Sequence, residues 1–305
     1  MLGPLTASQM SNIAFEFLAC FHRDRDELQN VKAFHKHFGS KPADVAEMWN
    51  NLISTSVQAA KLSDKENSVR GLKFFLMAHS FLWTYPKNRE LLASRFGVCT
   101  NYAGGSHLWL WIKKIQALKA DKIVWFDELD NPQGPIFCIT VDGVDCRLNE
   151  VKHPETPYDK GYFSHKFKHC AAKYELGIST FHSKLVWMNG PFPGGRHDLT
   201  IFREDGLKAK IKPGKMVIAD GGYRNSDCPD EVEMIAIPDS MDSEELYNFK
   251  IRARQRHETF NGRIKHFRCL SDTFHHSFEQ HKVAFEAVCV IVQYQMDNGA
   301  KLFAV

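Results

Sequence analysis

Four apolar residues in a row, Met216-Val217-Ile218-Ala219, run directly into Asp220-Gly221-Gly222-Tyr223. A strand with one wet face alternates polar and apolar residues; an unbroken apolar run marks a strand covered on both faces. Covering both faces takes helices on each side, which commits this part of the chain to α/β layers. A carboxylate at the end of such a strand sits where α/β sheets keep their ligand sites, and glycines beside it let a substrate backbone come close.

Neighbours for that strand are readable on both sides. Residues 136–142 read as a first strand that ends at Asp142, before Gly143. Residues 174–181 and 184–190 read as two more, close enough in sequence to pair antiparallel, and 233–238 as a fifth. A long charged helix is predicted over about 243–267. The apolar stretch 283–296 is too short to cross a bilayer and contains Glu286, so it reads as a buried helix. The turn cluster Asp130 to Gly134 marks the start of this α/β domain, over 130–305.

Upstream, residues 1–125 read as an all-α region. Ser40 and Pro42 signal a helix start, with Val45, Met48, Trp49 and Leu52 on one face. Val69, Leu72, Phe75 and Leu76 mark another helix. Over about 88–118, Leu91, Leu92 and Phe96 form a stripe that Gly97 can end. A second helix after it gives the outline of a helix-turn-helix, although Gly104-Gly105 would interrupt a recognition helix. Trp109, Trp111 and Trp187 read as core or interface residues.

The formal net charge is only +3, so any case for a polyanionic partner must rest on where the cations sit. The eight cysteines are scattered with no CxxC pair, as expected for reduced thiols inside a cell. His165 and His169 are four apart and could share a zinc-binding helix face, against the alternative of solvated or DNA-facing histidines. No signal peptide or membrane span is expected.

Asp142, Asp220 and Glu258 stand out among 36 acidic residues because of where they fall: two at strand ends, one in the helix that follows the fifth strand. Mg²⁺ and Mn²⁺ prefer oxygen donors, and two such ions can activate a hydroxyl and stabilise the leaving oxygen of a phosphodiester. Taken singly, each acid is as well read as a turn or surface residue.

Val141-Asp142-Gly143-Val144-Asp145-Cys146, Gly194 to Phe202, Ile218 to Tyr223 and Arg256 to Phe267 occur in that order. Together they resemble the signature segments of Harbinger-type DDE transposases, over about residues 130–300. The resemblance implies an RNase H-like fold, a mixed sheet flanked by helices, preceded by the all-α region. It places Asp142, Asp198, Asp220 and Glu258 at the family's acidic positions, with Asp142, Asp220 and Glu258 catalytic and all four metal-linked. The first motif departs from Asp-Gly-Thr by Val144 and adds Asp145, so either aspartate can be the first ligand. Asp142 matches better, because Asp145 would point to the other face of a continuing strand. The helical motif keeps a glycine four residues after Glu258, Gly262, beside which a substrate would have room.

The helix around Glu258 is rich in cations, and acids are too few between 249 and 268 to neutralise it. Arg254, Arg256, Arg263 and Lys265 on this helix, with Arg196 and Arg224 beside the acidic motifs, are the residues expected to face phosphates. The resemblance thus implies cleavage of double-stranded DNA at transposon ends and transfer to target DNA, with Mg²⁺ or Mn²⁺ in a two-metal site. It also implies a homo-oligomer, an accessory DNA-binding protein, and a nuclear location if the source is eukaryotic, otherwise cytoplasmic. The alternatives are a domesticated relative acting as a nuclease or as a DNA-binding protein only, and a metal-dependent phosphohydrolase of small substrates.

Overall fold

In a computed structural model, which describes residues 1–18, 27–149, 160–204, 206–224 and 234–305, the spine of the sheet is β1 (Phe137–Arg147). It is followed by β2 (Phe163–Ser164), β3 (His169–Ser179) and β4 (Leu185–Pro193). Then come β5 (Met216–Ile218) and β6 (Ile235–Ala236). The order is β2-β3-β1-β5-β6, with β4 also on β3. β1 runs antiparallel to β3 and parallel to β5, and β5 parallel to β6. β2 and β4 both pair antiparallel with β3. This is a mixed sheet, as the fold expectation required.

Helices cover both faces of the sheet, which is why β5 tolerates no polar residue. On one side α9 (Asp198–Glu204) and α10 (Leu207–Lys210) bury Phe202 and Leu207 against Ile139, Val141 and Val217. On the other, α11 (Glu244–Lys265) sets Phe249 and Ala253 against Ile218 and Ala236. Ile139, Val217 and Ile218 are fully buried, each worth about 1.5–3 kcal/mol relative to exposure.

β1 does not end at Asp142. Its ladder with β3 continues through Asp142↔Leu176 and Gly143↔Glu175 to Arg147↔Ala171, because β3 starts at His169, five residues earlier than its apolar core suggested. Asp142 is therefore a mid-strand residue. Correspondingly, His169 opens β3 and His165 lies in the turn before it, so the two share no helix face. Among the described residues no group of three or more His, Cys, Asp or Glu is placed to hold a metal ion.

The chain divides into two compact units. One comprises Met1–Lys122, Ile264–Asp272 and Glu279–Ala300; the other Ile123–Arg263, Thr273–Phe278 and Lys301–Val305. One break follows Lys122, and the apolar helix α13 (Phe278–Asp297) falls with the helical unit. Ala284, Phe285, Val288, Val292 and Tyr294 are all fully buried, so its sides need helical neighbours. Tyr294, for example, accepts a hydrogen bond from Asn51.

The helical unit is otherwise α1 (Ala7–Phe17), α2 (Glu27–Phe38), α3 (Pro42–Ser54) and α4 (Val69–Thr84), then α5 (Arg89–Phe96), α6 (Thr100–Gly104), α7 (Ser106–Ala117) and α8 (Lys119–Lys122). Later in the chain it also takes in α12 (Arg268–Ser271). α3 starts with Pro42 at its first turn, but its N-cap is Lys41. Ser40 is instead buried against His79. Gly97 ends α5 at φ 58°, and Leu92 and Phe96 are buried while Leu91 is exposed. The next helix is broken at Gly105, as the glycine pair required, so 98–118 is not one recognition helix. Trp109 and Trp111 are buried in α7. Of the cysteines, Cys20 and Cys228 lie outside the described residues; Cys99 is exposed, and Cys138, Cys146, Cys170, Cys269 and Cys289 are buried. No helix among the described residues is long and apolar enough to cross a membrane.

Candidate active site

Alternation along β1 sends neighbouring side chains to opposite faces of the sheet. Thr140 and Asp142 point to α11. Thr140 Oγ1 meets His257 Nδ1 at 2.7 Å, and Asn261 Nδ2 donates to Asp142 Oδ2 at 2.8 Å. Asp142 Oδ1 accepts from the Gly143 amide, also at 2.8 Å. His257 is 2% exposed, and burial pushes its imidazole down to about 3, so it is neutral at physiological pH. The carboxylate is thus held from both sides, by its own strand and by the helix.

The other face of β1 carries Gly143 and Asp145. Asp198, the first residue of α9, lies against Gly143: a Cβ there would come within 2.3 Å of Asp198 Oδ1. Lys173 Nζ pairs with Asp198 Oδ1 at 3.0 Å and stands 3.9 Å from Asp145 Oδ1. Asp145 also accepts from Ser164 Oγ at 2.6 Å and is buried. The second aspartate of the motif therefore faces away from Asp142 and has its own cation. Gly143→Ala is expected to destabilise the protein by about 1–3 kcal/mol through overpacking. Gly221→Ala, where a Cβ meets open space, should cost less; thermal melts of the two variants check this.

Asp220 follows β5 and caps the short turn Gly221–Tyr223, its Oδ1 accepting the Gly222 amide at 2.8 Å. Glu258 lies on α11 one turn before Asn261 and is exposed, and Gly262 has open space where a side chain would go. Burial, then the charges of Asp220 and Asp198, raise Asp142 to about 7, against weaker opposition from the Gly143 amide and Lys166. The same acidic field, after burial, pushes the Tyr223 hydroxyl far upward, with Glu175 the largest of its charged causes.

In kind, these side chains fit a hard divalent cation: the donors are carboxylate oxygens, and Asp142 is a half-buried acid crowded by like charge with no cation bonded to it among the described contacts. Asp142 and Asp220 are the pair such an ion would neutralise. Glu258 is not drawn into their group.

The basic helix differs from expectation. Arg256 is 2% exposed and does not face outward. Its guanidinium donates to the carbonyls of Ser179, His182 (2.6 Å) and Phe303 (2.8 Å). Lys250 is buried against Asp242 at 2.7 Å. Arg252 donates to the Ala304 carbonyl and Arg263 to that of Lys301, while Lys265 reaches the Leu270 carbonyl. Much of the unbalanced charge is thus answered by backbone oxygens rather than by acids. Arg254 is half-buried, Arg224 lies 3.5 Å from Asp239, and Arg196 pairs with Glu204 at 2.7 Å over the Phe192 ring. Arg196 also lines a cleft of about 680 Å³ with Lys160 and His165.

Sequence reasoning passed over Asn261 and Lys173. Asn261 is three residues after Glu258, hence on the same flank of the helix, which was a usable signal. Lys173 becomes visible only once β3 is known to start at 169 and to pair Lys173 with Asp145.

Fold and site together define an α/β protein with crowded carboxylates at the middle of its sheet. Residues 142–293 match the DDE superfamily endonuclease family. A crystal structure of a pre-cleavage Mos1 transpososome is also similar, at 9% identity over 99% of each chain, with a TM-score of 0.25 that carries no structural weight. No curated protein matches the chain significantly.

Proposed function

We propose that the chain is a DDE-type transposase or endonuclease that cuts DNA strands with two Mg²⁺ or Mn²⁺ ions and joins the freed 3′ end to target DNA. The observation that carries this reading is Asp142: a carboxylate fixed in mid-sheet, half-buried, and crowded by Asp220 and Asp198, inside a segment that matches a DDE endonuclease family. Such an arrangement costs stability unless a cation neutralises it. Bound ions would supply activation of the attacking hydroxyl and stabilisation of the leaving oxygen. Asp142 and Asp220 would hold them, Glu258 would complete the shell from α11, and Asp198 would act from the far face of β1 through the position of Gly143. Arg196, Arg224, Arg254, Arg263 and Lys265, at the margin, would meet phosphates.

Double-stranded transposon ends and target DNA are the substrates under this reading, in a homo-oligomer, with an accessory DNA-binding protein and a nuclear setting in a eukaryote. The alternative is a domesticated relative that binds DNA without cutting it. Nicking of a DNA duplex bearing the element's ends, in Mn²⁺, separates the two. The parent is expected to nick, and Asp142→Ala, Asp220→Ala and Glu258→Ala to fall to background. Equal nicking by all four proteins would sink the site assignment, and DNA binding with no nicking by the parent would favour the alternative.

A further inference from the structure

We propose that Asn261 is a positioning residue for the cation site, setting its affinity for a divalent ion by holding Asp142 in one orientation. This rests on the metal-dependent reading above. The side-chain amide reaches from α11 to the sheet and donates through Nδ2 to Asp142 Oδ2 at 2.8 Å. Gly143 holds the other carboxylate oxygen at 2.8 Å. The two donors act from different elements, so the carboxylate cannot turn about its own bonds without losing one of them.

The orientation of the amide is set by the same contact. Asn261 Oδ1 is buried and has no hydrogen-bond partner. Turning the amide over would put that oxygen against a carboxylate oxygen, two acceptors with no proton between them. Only the NH₂-inward orientation is compatible with a charged Asp142. A donor to a carboxylate favours its charged form, which is the form that ligates a metal. Residues that orient a ligand in this way typically change metal affinity by about 10–100-fold when removed.

Below Asn261, one turn earlier on α11, His257 meets Thr140 Oγ1 in a buried contact. That contact fixes the helix against β1 at Thr140, so Asn261 approaches Asp142 from a set position. Asn261 is thus the last link between the helix that carries Glu258 and the strand that carries Asp142.

The test is Mn²⁺ affinity of the full chain, measured by electron paramagnetic resonance titration without DNA. The comparison is of the parent, Asn261→Leu, Asn261→Ser, Asn261→Gln and Asp142→Ala, with thermal melts in EDTA. Asn261→Leu and Asn261→Ser are expected to weaken Mn²⁺ binding at least about tenfold. Asn261→Gln, which keeps an amide, should fall between them and the parent. A merely structural role would move the melting temperature and leave the affinity of the folded protein unchanged. If Asn261→Leu does not fold, Asn261→Ser, which adds no bulk, carries the comparison. Parent-like affinity in Asn261→Ser, with binding lost in Asp142→Ala, overturns the inference and leaves the metal reading standing. No saturable Mn²⁺ binding by the parent overturns both.

Discussion

In metal-free buffer at pH 8, Asp142→Asn is expected to melt several degrees higher than the parent. The folded protein holds the Asp142 carboxyl at about 7 against an ordinary value of 3.8, chiefly through burial and then through Asp220 and Asp198. Between those values the native state binds this proton more tightly than the unfolded chain does, so stability falls as pH rises from about 4 to about 7 and stays low above it. Each tenfold difference in proton affinity is worth about 1.4 kcal/mol, which puts the cost of charging Asp142 at a few kcal/mol. In a domain of 150–250 residues each kcal/mol moves the midpoint by about 2–4 °C. Asparagine removes the charge and keeps an acceptor for the Gly143 amide; a turn of Asn261 then lets the two side chains pair as amides. Melts at pH 4 and pH 8 in EDTA check the sign: the gap between variant and parent should open as pH rises. Adding Mn²⁺ should raise the parent's midpoint and leave that of the variant in place. A variant less stable than the parent at pH 8 would mean that like-charge crowding is not what governs this carboxyl.

Arg256→Met is expected to do the reverse, lowering stability by about 3 kcal/mol or more, because hydrogen bonds to a charged donor contribute about 1.5–3 kcal/mol each. Its guanidinium ties the carbonyls of Ser179 and His182, at the β3–β4 connection, to that of Phe303. Methionine fills most of the volume but leaves those oxygens, that of Ser179 in a buried contact, without their donor. Burial lowers Arg256 to about 10, still well above neutrality, so its charge and these bonds persist across the working pH range. The midpoint should fall by roughly 10 °C, while the salt dependence of DNA binding by the folded protein stays that of the parent. A steep change in that salt dependence, with little loss of stability, would return Arg256 to the phosphate-facing set.

The order of the longer elements was legible in the sequence because β1, β3, β4, β5 and β6 lie in apolar runs; the two-residue β2 (Phe163–Ser164) has none and was not expected. Where β1 stops was not. Gly143 and two aspartates look like a strand end, yet β3 offers partners as far as Ala171, and ladder bonds outweigh the poor strand propensity of glycine and aspartate. The acids were found by their place in the motifs; what holds them was not. Lys173 and Asn261 owe their roles to register and helix phase, which a linear reading recovers only after the elements are set. The cations of α11 were read correctly as unusual and wrongly as uniformly outward. Arg252, Arg256 and Arg263 each donate to a backbone carbonyl at 301–304, and Arg256 also to those of Ser179 and His182; carbonyls have no signature in a sequence. The fate of α13 was hidden for a related reason: a largely apolar helix announces burial but not the neighbour it is buried against.

The mid-strand place of Asp142 has a consequence for evolution under mutation. A carboxylate on a loop can be moved by insertion or deletion without disturbing the core. Asp142 cannot be shifted by one residue, because a slip of β1 would swap its two faces. Asp142 would then point towards Lys173, and Asp145 would turn towards α11. The two sides of this strand differ in their charge partners: Asp145 and Asp198 share a lysine, while Asp142 has none bonded to it. A single register therefore fixes both the packing of the sheet and the location of its unneutralised charge, and no frame change can alter the second while sparing the first.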